Sequence, residues 1–436
     1  MNKIIALAFL AAFSAFAAEE VQERKIYYVA ANGSDDGDGL TESTAWRTLE
    51  KVKASLPPGA EVRLRRGDVF FGPLKIRSGL SVKRPTVVTA FGEGAAPEIS
   101  LYKVARPKPS SWKNVGEGLW EIDLYDESAV GGNPVKEGNV GFLLVDGAIH
   151  GVKLFGDDKP SRQWEFKDDG QRLTVWSAKN PAEFSSDIRI APCVEGFWLV
   201  RNAFIGNVTF RGTGAHGVCG VGENVIIRNC TFKEIGGSWL KNHPVANMRY
   251  GNGVECWAGS THILVDRCRF ADIYDVAFTM QGPSPSRSWE NVRMRDCEIA
   301  RCSQAFEVWT RKCGPGIGFK NCTFVRNRCV DTGYCWGYEV RPSKEVAAPL
   351  LAYSMETDVC DILVKDNTFI NNRKYLIFKS GGLGCLPEGY RVEGNRICGD
   401  LDKPIGNSGW SRHEERSKKI EAQIRSDNVF TDNSRR

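Results

Sequence analysis

No cysteine occurs in the first 192 residues of this 436-residue chain, and all 14 fall between Cys193 and Cys398. A feature confined to one half of a chain shows that the halves are built differently. The sequence has no C-x-x-C, so a zinc site of paired, closely spaced thiolates is not expected. It has no G-x-S-x-G and no H-E-x-x-H, which removes two common hydrolase designs. Charge of one sign is also scarce in excess: 58 basic residues face 53 acidic ones, evenly spread. A net charge of +5 without a clustered basic face gives no reason to expect a nucleic-acid partner. Bulk composition is ordinary, 42% hydrophobic and 25% charged, which excludes a disordered chain, a collagen-like repeat and a polytopic membrane protein.

Long apolar runs are absent too. The one near the start, Ile4–Phe13, is too short to span a bilayer. It follows Lys3 and precedes Ala15-Phe16-Ala17, the order of a cleavable export signal over residues 1–18. No cysteine follows the cleavage point, so a lipid anchor is not expected. The chain is read as exported, secreted or periplasmic in a bacterium, with no integral membrane segment once the signal is removed.

What is present begins with a strand-like run, Ile26–Ala30, and a polar turn containing Asp35, Asp36 and Asp38. That turn lacks the downstream Glu of a calcium loop and is read as structural. Ala45, Leu49, Val52 and Leu56 recur at helical spacing, with Ser43 as the expected N-cap, and Pro57-Pro58-Gly59 ends the helix. Val62 and Leu64 then alternate with Arg63 and Arg65, as in a half-buried strand. This stretch, YYVAANGSDDGDGLTESTAWRTLEKVKASLPPGAEVRLRRGD, resembles the N-terminal part of secreted right-handed parallel β-helix proteins of the pectate-lyase-like group.

From about residue 205 the sequence repeats. VIIRNCTF (225–232), ILVDRCRF (263–270), VRMRDCEI (292–299), IGFKNCTF (317–324) and ILVKDNTF (362–369) align, with YRVEGNRI (390–397) as a weaker sixth. Alternating apolar residues and a period of 25–45 residues indicate one strand-turn-strand coil per repeat. Cys230, Cys268, Cys297 and Cys322 then share one repeat position, followed there by Asn367 and Asn395. The position is read as an internal ladder of stacked thiols rather than a metal site. Off-ladder cysteines such as Cys302, Cys313, Cys329 and Cys335 are the expected disulfide partners. The fold class is therefore all-β: a right-handed parallel β-helix with an N-terminal capping helix and a β-rich insertion. The expected boundaries are 1–18 signal, 19–100 cap and first coils, 101–187 insertion, 188–403 main helix and 404–436 C-terminal cap and tail.

A second set of strands follows the corners: GVECWAG (253–259), VAFTMQG (276–282), AFEVWTR (305–311) and GYEVRPS (337–343). Alternation along a strand predicts one outward column carrying Glu255, Glu307 and Glu339, with Trp257, Trp309 and Arg341 beside them. The same alternation puts Phe278 and Met280 on the outer face of the middle rung. Paired carboxylates are what glycoside hydrolysis needs, about 5 Å apart for retention or 6.5–9.5 Å for inversion. Glu307 with Glu339, or Glu255 with Glu307, fits one of these spacings. The tryptophans suit the apolar faces of sugar rings. Arg341 serves to orient a substrate oxygen or to neutralise Glu339. His216, Lys241, His243 and Asp275 lie in flanking turns and loops and are candidate substrate contacts. The stretches around these residues, GTGAHGVCGVG, RYGNGVECW and DIYDVAFTMQG among them, resemble bacterial secreted β-helix proteins that sit among carbohydrate-active enzymes.

That resemblance implies a polysaccharide or oligosaccharide as the partner and leaves three readings. The first is a glycoside hydrolase using paired glutamates, with no cofactor or metal. The second is a polysaccharide lyase with Lys241 or Arg341 as base, where calcium would enter. The third is a non-catalytic glycan-binding protein. A monomer is expected.

Overall fold

The computed structural model describes residues 23–431 apart from 284, 342–345, 374, 381–385, 400–404 and 408–413; the expected export signal lies outside the described residues. Ten parallel strands, from Ile26–Val29 to Tyr390–Glu393, form one long sheet. A second parallel row runs from Val69–Phe71 to Val429–Thr431. A third runs from Phe197–Trp198 to Ile405–Asn407, joined to the second because Arg269–Gly282 and Glu298–Thr310 each cross both rows. The result is a three-sided parallel β-helix.

The corners explain the polar residues of the repeat. Three columns of residues hold left-handed backbone: Asn202, Asn224, His262, Asn291 and Asn321; Asn207, Asn229, Arg267, Asp296, Arg326 and Asp366; and Glu234, Asp272, Arg301, Asp331 and Asn371. Asn and Asp tolerate this region better than other residues with a Cβ. Apolar side chains one step along the strands then fill the interior. Phe210, Phe232 and Phe270 stack at ring separations of 5.3 and 4.9 Å, and Trp289 stacks on Phe319 at 4.5 Å. Each fully buried ring of this size contributes roughly 1.5–3 kcal/mol.

The internal ladder exists, with one correction. Its members are Cys230, Cys268, Cys297, Asn327, Asn367, Asn395 and Asn428. The backbone N–H of Cys297 donates to Asn327 Oδ1 (3.0 Å), and the same bond recurs from Asn327 to Asn367, Asn367 to Asn395 and Asn395 to Asn428. Cys322 is not a member. It sits five residues earlier, inside the strand Gly318–Val325, opposite Ile362. The segment that matches 292–299 is CTFVRNRC (322–329), because Phe324 pairs with Met294 and Cys329 with Ile299. Every described cysteine is a free thiol, so the expected disulfides of Cys302, Cys313, Cys329 and Cys335 are absent.

Between Lys103 and Pro192 the chain leaves the helix and forms two further sheets with mostly antiparallel neighbours. They enclose their own apolar core around Trp112, Phe166 and Leu173. The N-terminal helix is Leu49–Ser55, capped by Thr48 rather than Ser43; Thr48 Oγ1 accepts from Lys51 N–H. Asp35 accepts from both Arg47 and Thr48 N–H, so it orders this turn as a structural residue. At the other end, Glu414–Asp427 is helical, and Ile424 enters the core.

Candidate active site

The third face carries the outward column. Glu255 pairs with Thr279, Thr279 with Glu307 and Glu307 with Leu351. Phe278 and Met280 point inward and are fully buried, so the expected outward placement of these two is off by one residue. A one-residue slip exchanges the faces of a strand. Thr279 is the outward residue of that rung, and its hydroxyl donates to Glu307 Oε2 (3.0 Å).

Glu255 and Glu307 are two rungs apart, about 9.6 Å by strand spacing. They differ in access. Glu307 is part-exposed, whereas Glu255 has no exposed surface. Glu255 is flanked by His216 and Asn252. Asn252 Nδ2 donates to Glu255 Oε2 (2.5 Å), and His216 Nδ1 lies 3.1 Å from the same oxygen. The N–H of Asn252 donates to His216 Nδ1 (3.1 Å), while its Oδ1 accepts from Val276 N–H (3.1 Å). The His216 ring packs 5.0 Å from that of Tyr250. Glu255 Oε1 is buried with no partner among the described residues.

Glu339 does not belong to the column. It lies in the short helix Trp336–Val340, mostly exposed, 3.9 Å from Arg373. The next rung of this face is Leu350–Ser354 instead. The GYEV alternation misleads because Trp336 and Tyr338 pack in a helical turn. The Trp336 ring lies 5.4 Å from Tyr274 and 5.0 Å from Phe142 of the insertion. The pairing of Glu307 with Glu339 at adjacent rungs is therefore excluded.

Arg341 consequently has a different partner. Its Nη1 lies 3.1 Å from Asp275 Oδ1, its guanidinium sits over the Tyr274 ring at 5.5 Å, and its Nε is buried without a partner among the described residues. Asp275 stands where the strand Arg269–Gly282 turns from one face to the next, at a break in register between Ile273 and Val276. It is part-exposed and lies beside Glu307. Burial, then the charges of Asp275 and Glu255, push the Glu307 carboxyl up to about 8; the Thr279 hydrogen bond and Arg341 oppose this.

Trp257 and Trp309 share the second outward column with Gln281 between them, as their spacing predicts. Trp257 is exposed, and Trp309 packs edge-on against Tyr353 at 6.2 Å. Trp309 Nε1 is buried without a partner among the described residues. Lys241 and His243 lie on an exposed loop between Ser238–Trp239 and Arg249–Tyr250. Among the described residues neither bonds to the column; His243 Nδ1 accepts only from Val245 N–H. Asn252 and Thr279 were not singled out by sequence. The one available signal was an Asn held between two glycines, Gly251 and Gly253, directly before the Glu255 strand.

Comparison with known proteins bears on the fold. Residues 195–342 match the family described as right handed beta helix region. No curated protein matches the sequence. Among solved structures, XylC in complex with xylose is similar at a TM-score of 0.54 and 13% identity, over 88% of this chain and 69% of that one. A GH136 lacto-N-biosidase from Eubacterium ramulus is similar at 0.48 and 16%, over 89% of this chain and 63% of that one. A structure described as a glycoside hydrolase is similar at 0.46 and 12%, over 94% and 96%. At these identities the likeness is one of fold, and the right-handed parallel β-helix is met.

Proposed function

We propose that this right-handed parallel β-helix is an exported polysaccharide-active enzyme that hydrolyses glycosidic bonds at the Glu307 face. One observation carries the reading: Glu307, part-exposed, is held as a neutral acid up to about pH 8 beside a carboxylate paired to arginine. A carboxylic acid that keeps its proton, with a second carboxyl group close by, is the arrangement that glycoside hydrolysis uses. Glu307 donates its proton to the leaving glycosidic oxygen as the bond to the anomeric carbon breaks. Asp275, kept close by Arg341, is the second carboxylate: it supports the positive charge developing on the ring and takes a proton from the water whose oxygen bonds the anomeric carbon. Glu255 has no exposed surface and acts as a positioning residue, holding negative potential behind Glu307. Trp257, Gln281 and Trp309 form the platform for sugar rings. XylC, similar in fold, was solved with xylose, which supports a sugar as ligand.

Lyase chemistry needs a free base. Arg341 is committed to Asp275, and Lys241 stands on an exposed loop, so neither position favours it. The test is a polysaccharide panel with product analysis. Hydrolysis is expected, giving new reducing ends without an ultraviolet-absorbing unsaturated sugar. Glu307→Gln and Asp275→Asn should each lower turnover by about 10²-fold or more. Unsaturated products, or full turnover in Glu307→Gln, would remove this assignment.

A further inference from the structure

A second surface lies on a different side of the prism, and the catalytic reading makes no use of it. The ten-stranded sheet carries an outward column in which Phe204, Ile226, Leu264 and Arg293 occupy successive rungs. These residues floor an open groove of about 580 Å³. Its first three floor residues are apolar and half-buried. The Phe204 ring reaches along its own strand to Gly206, where a Cβ would stand only 2.6 Å from it, so the glycine makes room for the ring. A part-exposed aromatic side chain on such a floor suits sugar CH groups.

The groove is lined by Arg293, Arg295 and Arg326, and among the described residues no carboxylate lines it. Arg295 and Arg326 are committed to Asp266 and Asp296 at 3.0 and 2.7 Å. Arg293 is different: it is exposed, and among the described residues its Nη2 donates to Asn291 Oδ1 (3.1 Å) rather than to a carboxylate. One rim is a row of corner side chains at rung spacing, including His262 and Asn291, whose side-chain nitrogens lie 3.2 Å apart. An apolar stripe, a polar rim repeating along the axis and an arginine with no carboxylate partner match one ligand chemistry. That ligand is an extended chain with apolar ring faces, many hydroxyls and a carboxylate.

We infer that this groove is a glycan-binding site separate from the catalytic face, and that it takes a uronate-bearing polysaccharide, with Arg293 on the carboxylate and Phe204 under a ring. At the Glu307 face the arginine, Arg341, is committed to Asp275, so the two faces would hold different parts of one mixed polymer.

The experiment is affinity electrophoresis of the full chain through gels containing polygalacturonate or an uncharged glucan. Retardation is expected in polygalacturonate and not in the glucan. Arg293→Gln should weaken it about tenfold, the scale of one charge-assisted hydrogen bond. Phe204→Ala, which leaves the charge unchanged, should weaken it several-fold. Both should melt as the parent does, and Glu307→Gln should be retarded like the parent, whatever its turnover. The inference is overturned if polygalacturonate does not retard the parent, or if Phe204→Ala is retarded equally, since attraction of a basic protein to any polyanion would then suffice. Loss of retardation in Glu307→Gln would also overturn it, by placing binding at the catalytic face.

Discussion

At the scale of single residues, the role proposed for Glu307 makes turnover depend on pH in a direction that can be worked out. Its carboxyl ordinarily titrates near 4.5 and is raised to about 8 in the folded chain. A general acid must hold its proton, so kcat is expected to fall as pH rises through about 8. Thr279 donates to Glu307 Oε2 and so favours the ionised form. Thr279→Val should therefore move the alkaline limb to higher pH while leaving a folded protein; a limb that stays put would separate it from Glu307. Stability carries the same signature. Below about 4.5 the folded and unfolded chains both hold the proton. Between there and about 8 the unfolded chain releases it while the native chain keeps it, so native stability declines as pH rises. Glu307→Gln removes that decline. Urea midpoints at pH 5 and pH 9 should differ less in the variant than in the parent.

At the scale of the coil, the ladder residues are the units that repeat. Asn367 accepts from the N–H and the Nδ2 of Asn327, and its own Nδ2 donates to Phe324 O and Asn395 Oδ1. Asn367→Ala leaves buried partners on two rungs, at about 1–3 kcal/mol for each group left unsatisfied. Thermal unfolding should show it, whereas Cys297→Ala, lacking strong bonds to lose, should cost less. The repeats, their alternation and the thiol stack could be read in the sequence because each rung must place apolar residues inward at a two-residue period. Two local departures could not. In IGFKNCTFVRNRCV two overlapping N-x-C-like patterns compete, and only pairing with Met294 and Ile299 selects the second. In WGYEV the alternating pattern of a strand is taken over by a helical turn, because Trp336 packs on Tyr274 and Phe142. Glu339 therefore left the column, and Asp275 entered the site from a corner that no periodicity marks.

At the scale of the whole molecule, the site depends on how the insertion is fastened to the coil. Arg249 is the fastener. It is buried, and its guanidinium donates to Gly237 O on the coil side and to Gly151 O and Gly141 O of the insertion (2.6, 2.8 and 2.6 Å). It also lies over Tyr274 at 5.2 Å and Trp336 at 6.0 Å. Nearby, buried Lys153 pairs with Asp168 at 2.6 Å inside the insertion. Removing Lys153 alone, as in Lys153→Met, leaves a buried carboxylate unpaired and should cost about 3–5 kcal/mol. Arg249→Met leaves three carbonyls without their donor, at about 1–3 kcal/mol each. The loss should be local. Arg249 pairs through its strand with Trp239, and the next residue, Tyr250, packs on His216, which touches Glu255. Hydrogen exchange should therefore quicken in Val140–Val145 and around Tyr250, while Asn367 and Asn395 stay protected. Turnover should fall with it, since Glu255 loses its cover and gains water. Exchange that quickens evenly along the whole coil would mean that the insertion and the helix unfold as one unit, and that Arg249 stabilises the molecule without setting the site.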